Sequence, residues 1–418
     1  MTPMAEGLGP QRAGAFRALR TRNYRLLFIG QVLSVVGTWV QATAVGWIVL
    51  HETHDPTGLG VVVALQWLPL LVLGAYAGTV ADRIDKRWIL IVANAAAGVV
   101  ALATALLVTG GQGTVAVLGL MSLLLGCTTA FETPTRQSFV AELVPAADIP
   151  SAVGLNGATM TGARIIGSAV AGALLALLSA SVCLYVNAVS FGAVIVALLM
   201  MRTSELRPPV HVPHGRGQIR DGLRYAMRTP EVRFPLVAMA VVGTLSLNSP
   251  VVSPLLARIT FHAGPGLFAA FGAAGAFGAL LGSVTAARAT SSTVALIGRA
   301  ALAFGIAYSL VAFSPTAALA LIGLAVAFFF ASAYIAWSNA RLQQETDDAY
   351  RGRVMALYSI VFLGSTPIGS VIVSAVAEVT NPRVAVLLGG VAAAGTGLVA
   401  LARVRRHARL PHEELATP

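Results

Sequence analysis

Charge is scarce in this chain of 418 residues: Asp, Glu, Lys and Arg make up 11%, against 56% hydrophobic residues and a mean hydropathy of +0.79. So few charges cannot cover that much apolar surface in water. This excludes an ordinary soluble domain and leaves an integral membrane protein. Cysteine is nearly absent; Cys127 and Cys183 fall inside apolar runs and form neither a disulfide framework nor a metal spacing. The seven histidines lie in loops, tails or span ends, and His211 and His214 beside prolines make no metal site. No nucleotide-binding glycine loop and no nucleophile–base set stands out, so no cofactor, ATP-driven step or enzyme activity is expected. A cleavable signal is also missing: residues 1–25 carry five Arg, and the apolar stretch after them is too long for a signal core.

What is present is a series of apolar runs. A membrane helix needs roughly 20 apolar residues. Twelve segments qualify: 26–50, 59–81, 88–108, 114–132, 152–178, 181–201, 234–257, 266–287, 293–313, 316–340, 354–378 and 384–403. An even number puts both termini on one side. Segments on that side hold 24 of the 28 Arg and Lys, the opposite loops hold only Arg258 and Arg383, and Arg164 and Arg299 lie within spans. That bias places the termini in the cytoplasm of a multi-pass protein, in a bacterial inner membrane. The net charge of +11 is therefore topological, and no nucleic-acid partner is expected.

The chain divides into a cytoplasmic tail (1–25), a six-helix bundle (26–201), a polar linker (202–233), a second six-helix bundle (234–403) and a C-terminal tail (404–418). Within the linker, Gln218–Arg228 reads as an amphipathic helix on the membrane surface, with Ile219, Leu223, Tyr225 and Met227 as apolar members and Arg220, Arg224 and Arg228 as charged ones. Gly167, Ser168 and Gly172 in span five recur as Gly364, Ser365 and Gly369 in span eleven, each 197 residues later, as duplicated halves would produce.

Between spans two and three stands GTVADRIDKR (78–87), a knot of mixed charge. In that place it resembles the signature loop of the major facilitator superfamily: Gly78, the Asp82–Arg83 pair four residues on, then Lys86 and Arg87. The stretches RNYRLLFIGQVLSVVGTWVQ (22–41), LVPAADIPSAVGLN (143–156), ARIIGSAVAG (163–172), DGLRYAMRTPEVR (221–233) and RGRVMALYSIVFLGSTPIGS (351–370) look like the twelve-span branch that includes the enterobactin exporter and macrolide efflux pumps. The resemblance implies an all-α fold of two six-helix bundles, alternating access and a small-molecule substrate. It also implies that the loop latches the state closed to the cytoplasm. Two positions depart from the pattern: Ser168 follows Gly167 where the family's antiporter motif has proline, and Thr38 follows Gly37 where many drug pumps carry Asp.

The candidate site residues follow from polarity inside spans. Asp82 can accept hydrogen bonds from a helix N-terminus, and that of span eleven, near Arg351–Val354, is the candidate partner. Three readings are open for Glu132: a carboxylate at headgroup level, a partner for Arg83 or Arg87, or a proton carrier. Arg164, inside span five, either snorkels to the cytoplasmic face or faces a cavity, paired with Glu132 or an anionic substrate group. It shares a helical face with Asn156 and Met160. Gln31, Ser34, Thr38 and Gln41 form one polar stripe on span one, suited to a water-filled cavity or to helix–helix hydrogen bonds. Asn248, Tyr334, Trp337 and Tyr358 are the corresponding polar candidates of the second half. Pro250 and Pro254 should bend span seven. Spans three, six, nine and twelve are plainer and should face lipid.

Three functions are compatible with these features. The first is a monomeric secondary transporter in the bilayer that exports a small amphiphilic molecule of the drug or siderophore class, coupled to protons. The second is a gradient-independent facilitator or a lipid or lysolipid flippase. The third is a membrane scaffold or sensor that moves nothing.

Overall fold

The computed structural model describes residues 16–81, 83–207, 218–289 and 292–413, which are helical throughout their regular structure. Backbone that lies in hydrocarbon must satisfy its own N–H and C=O groups, which a helix does within one segment. Among the described residues, twelve helices are long and apolar enough to cross a membrane. In the first half they are Arg22–Ile48, Pro56–Ala81, Lys86–Thr109, Val115–Leu143, Ile149–Leu177 and Ala180–Leu199. In the second they are span seven in two pieces (Pro230–Leu245 and Ser249–Leu255), then Pro265–Ala287, Val294–Ala312, Ala317–Glu345, Asp348–Val379 and Pro382–Glu413. The turns between them carry the helix starts expected from their residues. The side chains of Thr114, Ser179, Thr293 and Thr316 each accept from the backbone N–H three residues on, and Asp85 accepts from Arg87 N.

Two boundaries differ from the sequence reading. Span four does not stop near Glu132: its helix runs through Pro134 to Leu143 and places Arg136 inside the span. Span seven is interrupted, not merely bent. Pro250 has no N–H to donate and its ring crowds the carbonyl four residues back, so the helix ends at Leu245 and restarts at Ser249. At the break Asn248 Nδ2 donates to the freed carbonyl of Thr244 at 2.6 Å, and Ser246 Oγ donates to Gly389 O of span twelve at 2.6 Å.

Spans one to six pack on one another, as do spans seven to twelve. The main contacts between halves are span two on span eleven and span five on span eight. Close approaches are made at glycine. A Cβ on Gly278 or Gly282 would run into the backbone of Ala325 and Phe329 in span ten, and one on Gly37 would meet Asn187 and Ser190 in span six. The plainer spans turn apolar side chains outward, as Val92, Val99 and Leu106 do on span three, seven residues apart. The exposed residues Val189 and Val196, Ile306 and Leu310, and Val391 and Leu398 do the same on spans six, nine and twelve.

The linker helix Gln218–Arg228 lies against the start of span eleven. Its Gly222 admits Arg353, Ala226 is buried, and the Tyr225 ring stacks on Tyr350 with centroids 4.3 Å apart. Leu223 and Met227 remain exposed, so the buried face is Gly222–Ala226 and not the Leu223–Met227 stripe.

Candidate substrate cavity and its two ends

Between the halves lies a cavity of ≈ 430 Å³. That volume is in the range that holds a drug-sized molecule. The stripe on span one reaches it: Gln31, Ser34, Thr38 and Gln41 all line the wall, with Asn156, Met160 and Arg164 of span five. Span one thus serves both uses considered for it, because Gln41 Oε1 also accepts from Asn187 Nδ2 of span six at 2.7 Å. Gly167 lets span five sit directly on Val36 and Trp39, and Ser168 continues the helix unbroken where proline would have removed a donor. The second half contributes chiefly from the broken span, through Ser249, Pro250, Ser253 and Pro254, and from Phe268, Ala269, Gly272 and Leu363.

Among the described residues, three charged side chains line the cavity: Glu132, Arg136 and Arg164. Glu132 pairs with neither Arg83 nor Arg87 but with Arg136, one helical turn along, whose Nε donates to Oε1 at 2.7 Å. Arg136 Nη1 also donates to Asn156 Oδ1 at 2.5 Å, which joins spans four and five. Arg164 pairs with no carboxylate among the described residues; its Nη2 donates to Ser249 Oγ across the halves, and its guanidinium lies 4.9 Å from the centroid of the Trp39 ring. The apolar run of span four ends at 132, which leaves Arg136 outside it. The i, i+4 spacing from Glu132 was the signal that could have placed it on the helix.

The structure places the other candidates elsewhere. Asn248, Tyr334, Trp337 and Tyr358 do not line this cavity. Trp337 Nε1 donates to Ala286 O at 3.4 Å, Tyr358 donates to Ile335 O at 3.4 Å, and Tyr334 is fully buried, so all three pack within the second half. Asp82 lies outside the described residues. Arg83 is exposed, and a Cβ added at Gly78 would meet nothing within 4 Å. Lys86 bonds Glu142, and Arg87 donates to Leu198 O at 2.7 Å and to Leu199 O at 3.2 Å; both are held within the first half.

The cavity's two ends differ. At the end away from the termini the halves touch. Arg258 Nη2 lies 2.8 Å from His51 Nδ1, and because arginine can only donate, the ring nitrogen accepts. Trp47 stacks on His51 with centroids 5.0 Å apart, sits under Arg258 at 5.3 Å and meets Phe268 edge-on at 5.2 Å. Gly60 fits against Ser370 and Ser374, and Gly172 against Ala269. Halfway down, Leu71 fills the space over Gly364. Toward the termini the spans separate: Gly78, two turns beyond Leu71, and Gly154 and Gly157 of span five have open space where a Cβ would be, and Val153 is 61% exposed. At the end that carries the termini these positions of spans two and five stand open, whereas His51 and Arg258 join the halves at the other.

A membrane-spanning helical protein in two halves, with a cavity at mid-depth beside a broken helix, has the architecture of a secondary transporter. Solved structures agree on the fold. A bacterial homologue of the human lysosomal transporter Spinster, in an inward-facing and unoccupied conformation, matches 92% of this chain and 95% of its own with a TM-score of 0.71 at 16% identity. A POT family transporter in complex with 5-aminolevulinic acid matches 91% and 96% with a TM-score of 0.74 at 12% identity. The family model described as transmembrane secretion effector matches residues 13–417, and the chain belongs to that family of major facilitator transporters; it is not an enzyme. Among curated relatives, the staphyloferrin A transporter of Staphylococcus aureus is 24% identical over 85% of this chain and 89% of its own length. The multidrug efflux pump Tap of Mycobacterium tuberculosis is 25% identical over 90% and 92%.

Proposed function

We propose that this transporter exports a small amphiphilic molecule of the drug or siderophore class from a bacterial cytoplasm by alternating access, driven by protons, as a monomer in the inner membrane. The observation that carries the reading is the ≈ 430 Å³ cavity, shut at the far end by His51 and Arg258 and splayed at the end of the termini. The arginine bias supports a cytoplasmic position for the splayed end, from which the cavity would load. The names of the curated relatives, a siderophore transporter and a multidrug efflux pump, support the substrate class.

Glu132 is the carboxylate proposed to carry the proton. Protonating it would release Arg136, and with it the tie to Asn156 of span five. Gly78, Asp82 and Arg83 are proposed to form the latch of the opposite state, closed toward the termini. Lys86 and Arg87 anchor that loop to the first half. The cavity wall that touches substrate is assigned to Gln31, Ser34, Thr38, Gln41, Asn156 and Arg164.

The test is uptake into everted membrane vesicles, with and without the protein, of a siderophore, a macrolide, a tetracycline and a lysolipid. Accumulation of at least one that an uncoupler abolishes supports proton-coupled export. Equilibration indifferent to the uncoupler would replace it with a facilitator or flippase.

A further inference from the structure

The charges lining the cavity do not cancel. Glu132 and Arg136 neutralise each other within span four, and Glu132 Oε2 further accepts from Thr133 Oγ1 at 3.3 Å. Arg164 is left over. A guanidinium carries five N–H donors, and among the described residues one meets a protein oxygen, that of Ser249. The Trp39 face beside it stabilises the cation but offers no acceptor for an in-plane N–H.

The surroundings add donors rather than acceptors. Ser249 Oγ already accepts from Arg164, so its own proton is free to be given away. Ser253, one turn further on the same piece of span seven, also lines the cavity, and its buried hydroxyl has no partner. Apolar and aromatic residues also line the cavity, among them Trp39, Trp67, Met160, Phe191 and Phe268, beside neutral polar ones such as Thr38, Gln41 and Ser168.

An arginine in the open cavity can be hydrated. When the splayed end closes, that water is squeezed out, and an unmatched cation in a low-dielectric space is strongly unfavourable. An anion that enters with the substrate removes the conflict. One cation and two hydroxyls suit a single negative charge, and a carboxylate matches the guanidinium fork.

We propose that Arg164, Ser249 and Ser253 form the subsite for a monoanionic carboxylate head, and that the substrates of this transporter are acids with an apolar or aromatic body. The inference rests on the export reading given above. It adds a mechanical consequence: the subsite takes Arg164 from one half and the serines from the other, so an occupied site draws the halves together at mid-depth.

The experiment compares two probes of one shape, 2-naphthylacetate and 2-naphthylacetamide, binding to the purified protein in lipid nanodiscs, read by quenching of tryptophan fluorescence beside the site. The wild type should bind the carboxylate at least tenfold more tightly than the amide. Arg164→Gln should erase that difference, Arg164→Lys should keep part of it, and Ser249→Ala should weaken the carboxylate several-fold while leaving the amide unchanged. Monodisperse elution of Arg164→Lys guards against reading misfolding as lost affinity. Equal affinities in the wild type, discrimination that survives Arg164→Gln, or no binding of either probe would each overturn the subsite. Vesicle flux separates this from the export reading. Neutral compounds exported with no preference for charge would leave export standing and remove the subsite. Charge-selective binding with no flux of any compound would do the reverse.

Discussion

His51 and Arg258 are 207 residues apart and occupy the same register in two matching turns. Span one ends in a five-residue π-helical turn, Val49–Thr53, and span seven in another, Leu256–Thr260. His51 and Arg258 are the third residue of each turn, and they hydrogen-bond to each other at 2.8 Å. Beyond each turn a histidine adopts the left-handed conformation, His54 at φ 53° and His262 at φ 49°. The duplication of the halves is therefore clearest where they meet. An exposed bond to a charged donor contributes about 1 kcal/mol, or roughly a fivefold shift in a two-state population. His51→Ala should move the far end toward its open form by about that factor. Spin labels at Gln112→Cys and Ala318→Cys, with Cys127 and Cys183 replaced, would show it as a growing long-distance component.

The Glu132–Arg136 pair makes an asymmetric prediction. Their side chains are 18% and 7% exposed, so removing one partner leaves a charge largely buried. Arg136→Leu should cost about 3–5 kcal/mol of stability, and adding Glu132→Gln to it should restore a large part. Thermal unfolding in detergent reads both. In vesicles, Glu132→Gln alone should still bind substrate but lose its response to the pH gradient.

Two glycines separate packing from gating. Gly278→Leu would drive a side chain into the Ala325 backbone and should destabilise by about 1–3 kcal/mol. Gly78→Leu meets open space in this state and should leave the melting temperature unchanged. If the loop latches the opposite state, that same variant should still reduce flux several-fold, because closing the splayed end brings span eleven over Gly78.

Arg87 tests whether every member of the charged loop gates. Its two bonds go to the last carbonyls of span six, those of Leu198 and Leu199. Arg87→Ala should therefore lower stability by about 1–2 kcal/mol and flux only in proportion to folded protein. A loss of flux with full stability would move Arg87 from anchor to latch.

The sequence carried the twelve spans because hydrocarbon leaves the backbone so few choices, and it carried the first-half wall because Gln31, Ser34, Thr38 and Gln41 repeat at helical spacing. Tyr334, Trp337 and Tyr358 are polar candidates that do not line this cavity. A polar atom on a span can be satisfied by a neighbouring helix's carbonyl, as Trp337 is by Ala286, and periodicity does not tell which neighbour a face will meet. Arg136 lies beyond the apolar run that marks span four, on a helix that continues through Pro134, which a membrane helix tolerates. The matched π turns share too few residues, VLHET against LARIT, to be seen before they are folded.

For substrate to leave by alternating access, the far end must open. The most direct test replaces His51 and Arg258 with cysteine and joins them with a short bifunctional thiosulfonate, in vesicles transporting whichever panel compound the protein moves. Flux should stop on cross-linking and return when a reductant cuts the bridge. Flux that persists in fully cross-linked protein would contradict alternating access through this end.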